Sequence, residues 1–231
     1  IYFQFIAKLK SKYLPTCYLI LFLIIIQGIV GWYMVKSGLI NNVTVSHYRL
    51  SLHLSIAFII ISSIFWILLN LRNKTSISIF KVNRNSFIFY FFIILLLIQI
   101  ILGAFVSGLD AGKLYQTWPL MNQSYFPEDT KINIIKDFFQ FDNHGLVQFY
   151  HRNAAYLIVV YFLFIGFYIF NKKISSLYKS FFLVSVFLVI QIFLGIFTLI
   201  SGLNIYLATS HQIFSLILIL STINLYYNYI K

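Results

Sequence analysis

The sequence is poor in cysteine and in acidic residues, on which many metal sites depend. Cys17 is the single cysteine among 231 residues, which excludes an intramolecular disulfide and any multi-cysteine metal site. Aspartate and glutamate together number five, and none of them lies in a long hydrophobic run. Zinc and non-haem di-iron centres in helix bundles use carboxylates or cysteines beside histidine. Such centres are therefore poor candidates for this chain.

Hydrophobic residues make up most of what is present. They account for 61% of the chain, charged residues for 10%, and the mean hydropathy is +0.89. A soluble chain of this size cannot bury so much apolar surface. Runs of about 20 apolar residues are what a membrane core of about 30 Å requires. The sequence therefore predicts an all-α, polytopic membrane helix bundle with six full transmembrane helices, at about 16–35, 49–71, 86–107, 147–170, 180–201 and 207–229.

Charge is divided unevenly between the two sets of connections, within a formal net charge of +12. Most lysines and arginines, and no acids, lie before the first span, in the second-to-third and fourth-to-fifth connections, and at the C-terminus. All five acids lie in the opposite connections. This positive-inside pattern places residues 36–49, 109–146 and 201–207 towards the periplasm or intermembrane space. Because topology accounts for the charge, nucleic acid is not expected as a partner.

The first seven residues are mostly apolar and lead directly into a basic segment containing Lys8, Lys10 and Lys12. They lack the charged region and cleavage site of a signal peptide. We expect them to be an N-terminal stub, the end of an earlier span in a truncated chain. A short interfacial segment is the alternative.

A short motif recurs late in three of the predicted spans. A glutamine is followed four residues later by a glycine, and then by Ser-Gly-Leu, in each case: Gln27 and Gly31, Gln99 and Gly103, Gln191 and Gly195. Small residues at such spacing let helix backbones approach closely. The span after each motif carries a histidine. Three such helix pairs plus the stub predict an eight-helix protein of two four-helix halves, with residues 1–75 from the N-terminal half and residues 76–231 forming the C-terminal half.

The three histidines, His53, His151 and His211, lie a few residues into spans that enter from the same outer side. Ionisable groups inside a span are costly and usually functional. Neutral imidazole is a good iron ligand, and histidines from facing helices can hold haem in a bundle core. The pattern predicts haem ligation at one depth near the outer surface. The alternative for each residue is a structural hydrogen bond to a neighbouring helix.

Four further polar residues lie near the same outer ends of the spans. His47 and His144 fall in or near outer loops and are predicted to be solvated or interfacial imidazoles. Arg49 and Arg152 are candidates for haem propionate contacts, because guanidinium matches a carboxylate in a bidentate fork. Each arginine is equally well explained as an interfacial anchor.

Six segments together carry a family resemblance. They are GWYMVKSGL (31–39), VSHYRLSLHL (45–54), LGAFVSGLDAG (102–112), TWPLM (117–121), VQFYHR (147–152) and SHQ (210–212). Their order and content resemble the haem A synthase family, in its alphaproteobacterial and mitochondrial branch. The resemblance covers nearly the whole chain.

The resemblance implies eight helices in two halves and an oxidoreductase that converts the C8 methyl of haem O to a formyl group, making haem A for cytochrome oxidase. His151 and His211 match the ligands of a resident haem b, and His53 matches one of a pair facing the substrate haem. The partner of His53 and a catalytic glutamate lie in the family's second helix. These 231 residues are expected to include only the apolar tail of that helix. We therefore expect no catalytic residue in these 231 residues, and haem b binding without turnover.

The resemblance also implies a setting and partners. The expected location is a bacterial or mitochondrial inner membrane, multi-pass, with the haem sites towards the periplasm or intermembrane space. Expected partners are haem O, the lipid bilayer, haem O synthase and cytochrome oxidase assembly factors, and no electron-transfer partner is indicated. The outer connection at 109–146 either covers a haem edge or lies on the membrane surface.

Two other functions are compatible with parts of the pattern. A b-type cytochrome electron-transfer membrane subunit would need the same histidines but would not modify haem. A transporter with a midplane site is disfavoured, because the histidines lie towards one surface and no span has paired Gly or Pro breaks.

Overall fold

The computed structural model describes residues 11–38, 45–78, 82–132 and 134–231. Six long helices account for most of them: α1 (Leu14–Gly38), α2 (His47–Arg72), α3 (Phe87–Gly108), α4 (His144–Asn171), α5 (Tyr178–Ile200) and α6 (Ile205–Ile230). Short 3₁₀ turns lie at Ser11–Tyr13, Ala111–Lys113, Ile135–Phe139 and Ser175–Leu177. No β-strand occurs in these ranges. The all-α prediction is confirmed, while the predicted stub at residues 1–7 lies outside the described residues.

All six helices are long and apolar enough to cross a membrane, which confirms the six predicted spans. At 1.5 Å per residue, the shortest of them is about 33 Å long, against a hydrocarbon core of about 30 Å. Helices suit this setting because each satisfies its own backbone hydrogen bonds where water is absent. Two helix starts are capped by asparagine: the Asn143 side chain accepts from the backbone N–H of Leu146, and that of Asn204 from Tyr206 and Leu207.

Packing follows the order of the chain. α1 packs on α2, α2 on α3, α3 on α4, and α5 on α6, and α6 also packs against α3 and α2. By contrast, α4 makes few backbone contacts with α5, and α4 and α6 are not packed extensively against each other.

The hydrophobic core cluster is aromatic and aliphatic and fills the inner half of the bundle. The inner half is the one that holds the α2–α3 and α4–α5 connections, and the outer half is the one that holds the histidines. The cluster includes Trp66, Phe89, Phe92, Ile165 and Tyr227, each no more than 2% exposed. The indole of Trp66 lies edge-on to the ring of Tyr227, with centroids 5.2 Å apart. This cluster joins α2, α3, α4, α5 and α6.

Hydrogen bonds close the inner end of the same region. The Tyr227 hydroxyl lies 2.5 Å from Thr75 Oγ1, and Thr75 Oγ1 donates to Asn70 Oδ1 at 2.8 Å. Asn70 Oδ1 also accepts from the backbone N–H of Ile77, whose carbonyl accepts from Trp66 Nε1 at 2.9 Å. The start of the α2–α3 connection is thus fixed to the end of α6.

Candidate haem-binding site

Each of the three histidines lies at nearly the same position in its helix. His53 is six residues from the start of α2, His151 seven from the start of α4, and His211 six from the start of α6. At 1.5 Å per residue, each lies about 9–11 Å into its helix. Every second membrane-crossing helix enters from the same side, so α2, α4 and α6 run in the same direction. The matched spacing therefore supports the predicted common depth.

Each histidine is hydrogen-bonded to the glutamine of the preceding helix. Gln27 Nε2 lies 3.0 Å from His53 Nε2, and Gln191 Nε2 lies 3.2 Å from His211 Nε2. Gln99 Nε2 lies 3.2 Å from His151 Nδ1 and also donates to the backbone carbonyl of His151 at 3.0 Å. The three pairs join α1 to α2, α3 to α4, and α5 to α6.

The glycine of each motif lies against the Cε1 corner of the imidazole ring. A Cβ at the glycine would lie 3.0 Å from His53 Cε1 at Gly31, 3.1 Å from His151 Cε1 at Gly103, and 2.9 Å from His211 Cε1 at Gly195. Such distances are tighter than ordinary carbon–carbon contact, so a larger side chain would push the ring away. Gly28, three residues from Gly31, has no neighbour within 4 Å of its added Cβ. The four-residue spacing of the motif therefore places a hydrogen-bonding glutamine and the small side of a glycine against each histidine.

Several polar atoms around these rings are buried without a hydrogen bond. They include the amide oxygen Oε1 of all three glutamines, and Nδ1 of His53 and His211. Buried polar atoms without partners are rare in native proteins and call for an explanation such as a ligand. A haem iron binds neutral imidazole, so the unpaired Nδ1 atoms of His53 and His211 are compatible with haem ligation.

His151 and His211 lie on α4 and α6. These two helices are not packed extensively against each other. His53 belongs to the α1–α2 pair. Among the described residues, no three His, Cys, Asp or Glu side chains come together as a ligand set for a bare metal ion.

Arg152 binds the long outer connection. Its guanidinium donates to the backbone carbonyls of Leu120 at 3.1 Å and Tyr115 at 3.0 Å, while its Nε is buried without a partner. Gln148 Nε2 donates to the same Tyr115 carbonyl at 2.8 Å. The connection is therefore folded against the start of α4. Arg49 lies over the ring of Tyr33, with Cζ 4.6 Å from the centroid.

The prediction of a solvated imidazole is wrong for His47, and its interfacial position stays a prediction. Its side chain is 5% exposed and its Nε2 lies 3.5 Å from Asp142 Oδ1. The ring packs edge-on against Phe105 at 5.2 Å, and a Cβ at Gly108 would lie only 2.7 Å from His47 Cβ. The close approach of α3 and the folded outer connection remove His47 from solvent. His144 is exposed.

The glutamines are site residues that the sequence analysis did not identify as such. Their spacing from the glycines was interpreted as helix packing alone. The signal that could have found them is the recurrence of a polar side chain, one of very few in each apolar span, at the same position in three helix pairs.

Comparison with known proteins agrees with this geometry. A family model described as cytochrome oxidase assembly protein, COX15-CtaA, matches residues 1–223. The chain belongs to the COX15-CtaA family. A family member from Pelagibacter ubique named Heme A synthase is 43% identical over 223 residues, which are 96% of this chain and 63% of that protein.

Two further COX15-CtaA relatives carry the same name. The protein from Rickettsia bellii is 37% identical over 235 residues, covering 100% of this chain and 69% of the relative. The protein from Wolbachia pipientis wMel is 38% identical over 225 residues, covering 94% of this chain and 61% of the relative. The chain thus spans roughly two thirds of the length of these relatives. The family predicted from the sequence is confirmed.

Proposed function

We propose that this chain is the haem b-binding part of a haem A synthase, which oxidises the C8 methyl of haem O to a formyl group for cytochrome oxidase biogenesis. The observation that carries the proposal is the set of three imidazoles, each held over a glycine at matching depth in α2, α4 and α6. Family membership and the shared name of the three relatives support the same conclusion.

In this proposal His151 and His211 are the residues that would hold haem b. Both rings are half-buried in an apolar bundle. Haem b supplies one-electron redox chemistry when bound. The side chains of this chain supply ligation, orientation and exclusion of water.

His53 faces the substrate haem in the neighbouring half. Like the other two rings, it lies over a glycine, Gly31, and is held by a glutamine, Gln27. Converting a methyl to an aldehyde requires two successive two-electron oxidations, so electrons must leave the substrate repeatedly. The lipid-buried walls suit an apolar, farnesylated substrate.

The two arginines are proposed to contact haem propionates from the outer side. Arg152 lies one residue after His151, and its Nε is the part of the guanidinium left without a partner. Arg49 lies four residues before His53, one helical turn away, and stacks on Tyr33. Both positions place a positive charge near the outer face of a candidate haem.

The setting proposed is a bacterial or mitochondrial inner membrane. The chain is a multi-pass membrane protein, and the distribution of its basic residues supports a periplasmic or intermembrane-space side for the histidines. Haem O synthase, which would supply the substrate, and cytochrome oxidase assembly factors are the proposed partners.

A b-type electron-transfer subunit is the second candidate, because the histidine pair alone would serve it equally well. Activity separates the two. The assay expresses the protein in cells that make haem O but not haem A. We expect haem A to form there only if the protein also carries the family's catalytic glutamate and fourth histidine. Extracted haems are separated by liquid chromatography. A complete protein with low-spin haem b that yields no haem A would support the electron-transfer subunit instead.

The 231-residue chain tests the haem site separately. Purified with haem b in nanodiscs, it is expected to show the absorption bands of one low-spin, bis-histidine haem. A chain that is folded and takes up no haem would overturn the proposal for both candidate functions.

A further inference from the structure

The glutamine–histidine contact is the most consistently repeated polar feature among the described residues. In three separate helix pairs, an amide nitrogen lies 3.0–3.2 Å from the nearest ring nitrogen of the histidine on the next helix. The glutamines are separated by 72 and 92 positions in the sequence, so no local constraint produces the repetition. A shared requirement of the three histidines explains it better.

Packing alone does not explain glutamine at these positions. Each glutamine lies in a helix made almost wholly of apolar residues, where leucine or isoleucine would fill the same volume. Burying an amide in a bilayer costs free energy unless both its donor and its acceptor are paired. In all three cases the donor is paired and Oε1 is buried and unpaired.

Haem ligation would give Oε1 a partner. A neutral imidazole that binds iron through one nitrogen keeps its proton on the other, and metal-bound histidines nearly always donate that second N–H to an acceptor. Oε1 and Nε2 are bonded to the same carbon, so a half-turn about Cγ–Cδ places the oxygen where the nitrogen now meets the ring. Oε1 is thus an acceptor within reach of the imidazole proton.

We propose that Gln99 and Gln191 are positioning residues for the haem ligands His151 and His211. Each glutamine holds its imidazole in a fixed orientation over the glycine and accepts the N–H proton when the other ring nitrogen binds iron. Gln27 serves His53 in the same way. This inference rests on the proposed function, because it requires that the histidines bind haem.

The two haem b positions differ in how firmly the glutamine is held. Gln99 Nε2 also donates to the backbone carbonyl of His151 at 3.0 Å, which fixes α3 to α4 at the ligand itself. Gln191 has the ring of His211 as its described partner. Loss of Gln99 therefore removes a helix–helix contact and a ligand contact together, whereas loss of Gln191 tests the ligand contact more cleanly.

The test uses the 231-residue chain reconstituted with haem b in nanodiscs. Gln191→Leu and Gln99→Leu keep the volume and remove the acceptor, and each is expected to weaken haem b binding by about 10- to 100-fold. Without the hydrogen bond the imidazole is a weaker donor to ferric iron, so the reduction potential of the remaining haem should rise. Gln27→Leu is the matched control: the same substitution in the third motif should leave haem b affinity and potential unchanged.

Gln191→Glu keeps the inference testable if a leucine variant does not fold. A carboxylate is a stronger acceptor than an amide, so this variant should retain haem and shift the reduction potential below that of the unaltered chain. A packing defect that exposes the haem to water would shift the potential in the same direction in both Gln191 variants. Opposite shifts in the two Gln191 variants would support the inference.

The outcomes separate the inference from the function on which it rests. An unaltered, folded chain that binds no haem b overturns the proposed haem site itself. If the unaltered chain binds haem b and Gln191→Leu has the same affinity and potential, the positioning role is wrong and the haem site stands. A Gln191→Glu potential equal to that of the unaltered chain would also overturn the positioning role.

Discussion

The inner and outer halves of the bundle are built differently. In the inner half, Trp66 and Tyr227 are 2% and 0% exposed, and their polar atoms bond to Ile77 and Thr75. In the outer half, the histidine layer, meaning His53, His151, His211 and their three glutamines, is half-buried and leaves several polar atoms unpaired. The same chain therefore satisfies its polar groups at one end and leaves them unsatisfied at the other.

This difference indicates a division of roles along the membrane normal. Fully packed aromatic residues with complete hydrogen bonds stabilise a fold. Unpaired ring nitrogens and amide oxygens do not stabilise it, because no water is available in a bilayer to replace the missing partner. Their repetition in three helix pairs is better explained by binding than by stability. Substitutions at the two ends should therefore have separable effects on haem and on folding.

The largest effect is expected from removing a proposed ligand. His151→Ala or His211→Ala should abolish the low-spin haem b spectrum of the 231-residue chain, because one imidazole cannot supply both axial bonds. His53→Ala, the matched substitution in α2, should leave that spectrum intact. Visible absorption of the reduced protein makes the comparison. Unchanged low-spin bands in both of the first two variants would refute the ligand assignment.

The next largest effect is expected in the inner half and should spare haem. Trp66→Ala removes a side chain packed on Tyr226 and Tyr227 and the hydrogen bond to the Ile77 carbonyl. Truncating a buried tryptophan costs about 3–5 kcal/mol of folding free energy. Denaturant unfolding in mixed micelles measures the loss. The spectrum of the folded fraction should match that of the unaltered chain, and a changed spectrum would show that the two halves are not independent.

A smaller effect is expected from filling the space under a ligand. Gly195→Ala adds a Cβ 2.9 Å from His211 Cε1, and Gly103→Ala adds one 3.1 Å from His151 Cε1. The ring must move by a few tenths of an ångström, so we expect haem b affinity to fall about tenfold, equivalent to about 1.4 kcal/mol. Haem titration measures it. Gly28→Ala, whose Cβ meets nothing within 4 Å, is the control, and equal losses in all three variants would exclude a local cause.

Much of the fold follows from the sequence because the bilayer imposes it. A hydrocarbon core of fixed thickness turns each apolar run into a helix of predictable length, and the bounds of α1 to α6 lie within a few residues of the predicted spans. The histidines lie at matched positions in α2, α4 and α6, as the spacing from each span's start predicted. The division into two four-helix halves remains a prediction.

The contacts of the site could not be predicted in the same way. Whether Gln191 faces His211 depends on the rotation of α5 and α6 about their axes, which the apolar pattern does not determine when lipid and protein interior are equally apolar. His47 was misassigned for a related reason. Its burial depends on Phe105 and on Asp142, which is 95 positions away in the sequence. Such long-range contacts leave no local signature.

The smallest effect is expected at the outer connection, where Tyr115 is 3% exposed and donates to Asp129 Oδ1 at 2.5 Å. Burial, with the Asp129 hydrogen bond second, raises the pKa of Tyr115, so the hydroxyl remains a donor at neutral pH. Asp129 is exposed and can bond to water instead, so Tyr115→Phe should cost only about 1 kcal/mol of local stability.

Amide hydrogen exchange measures that loss, as faster exchange across residues 111–130 with α2 to α6 unchanged. Because the folded pKa lies above the ordinary value, the contribution of Tyr115 is fully present below about pH 10 and is lost as the pH rises through the raised pKa. The difference between Tyr115→Phe and the unaltered chain should therefore shrink in strong alkali. If this connection covers a haem edge, Tyr115→Phe should also speed haem b dissociation. Faster amide exchange with an unchanged dissociation rate would assign the connection to the membrane surface alone.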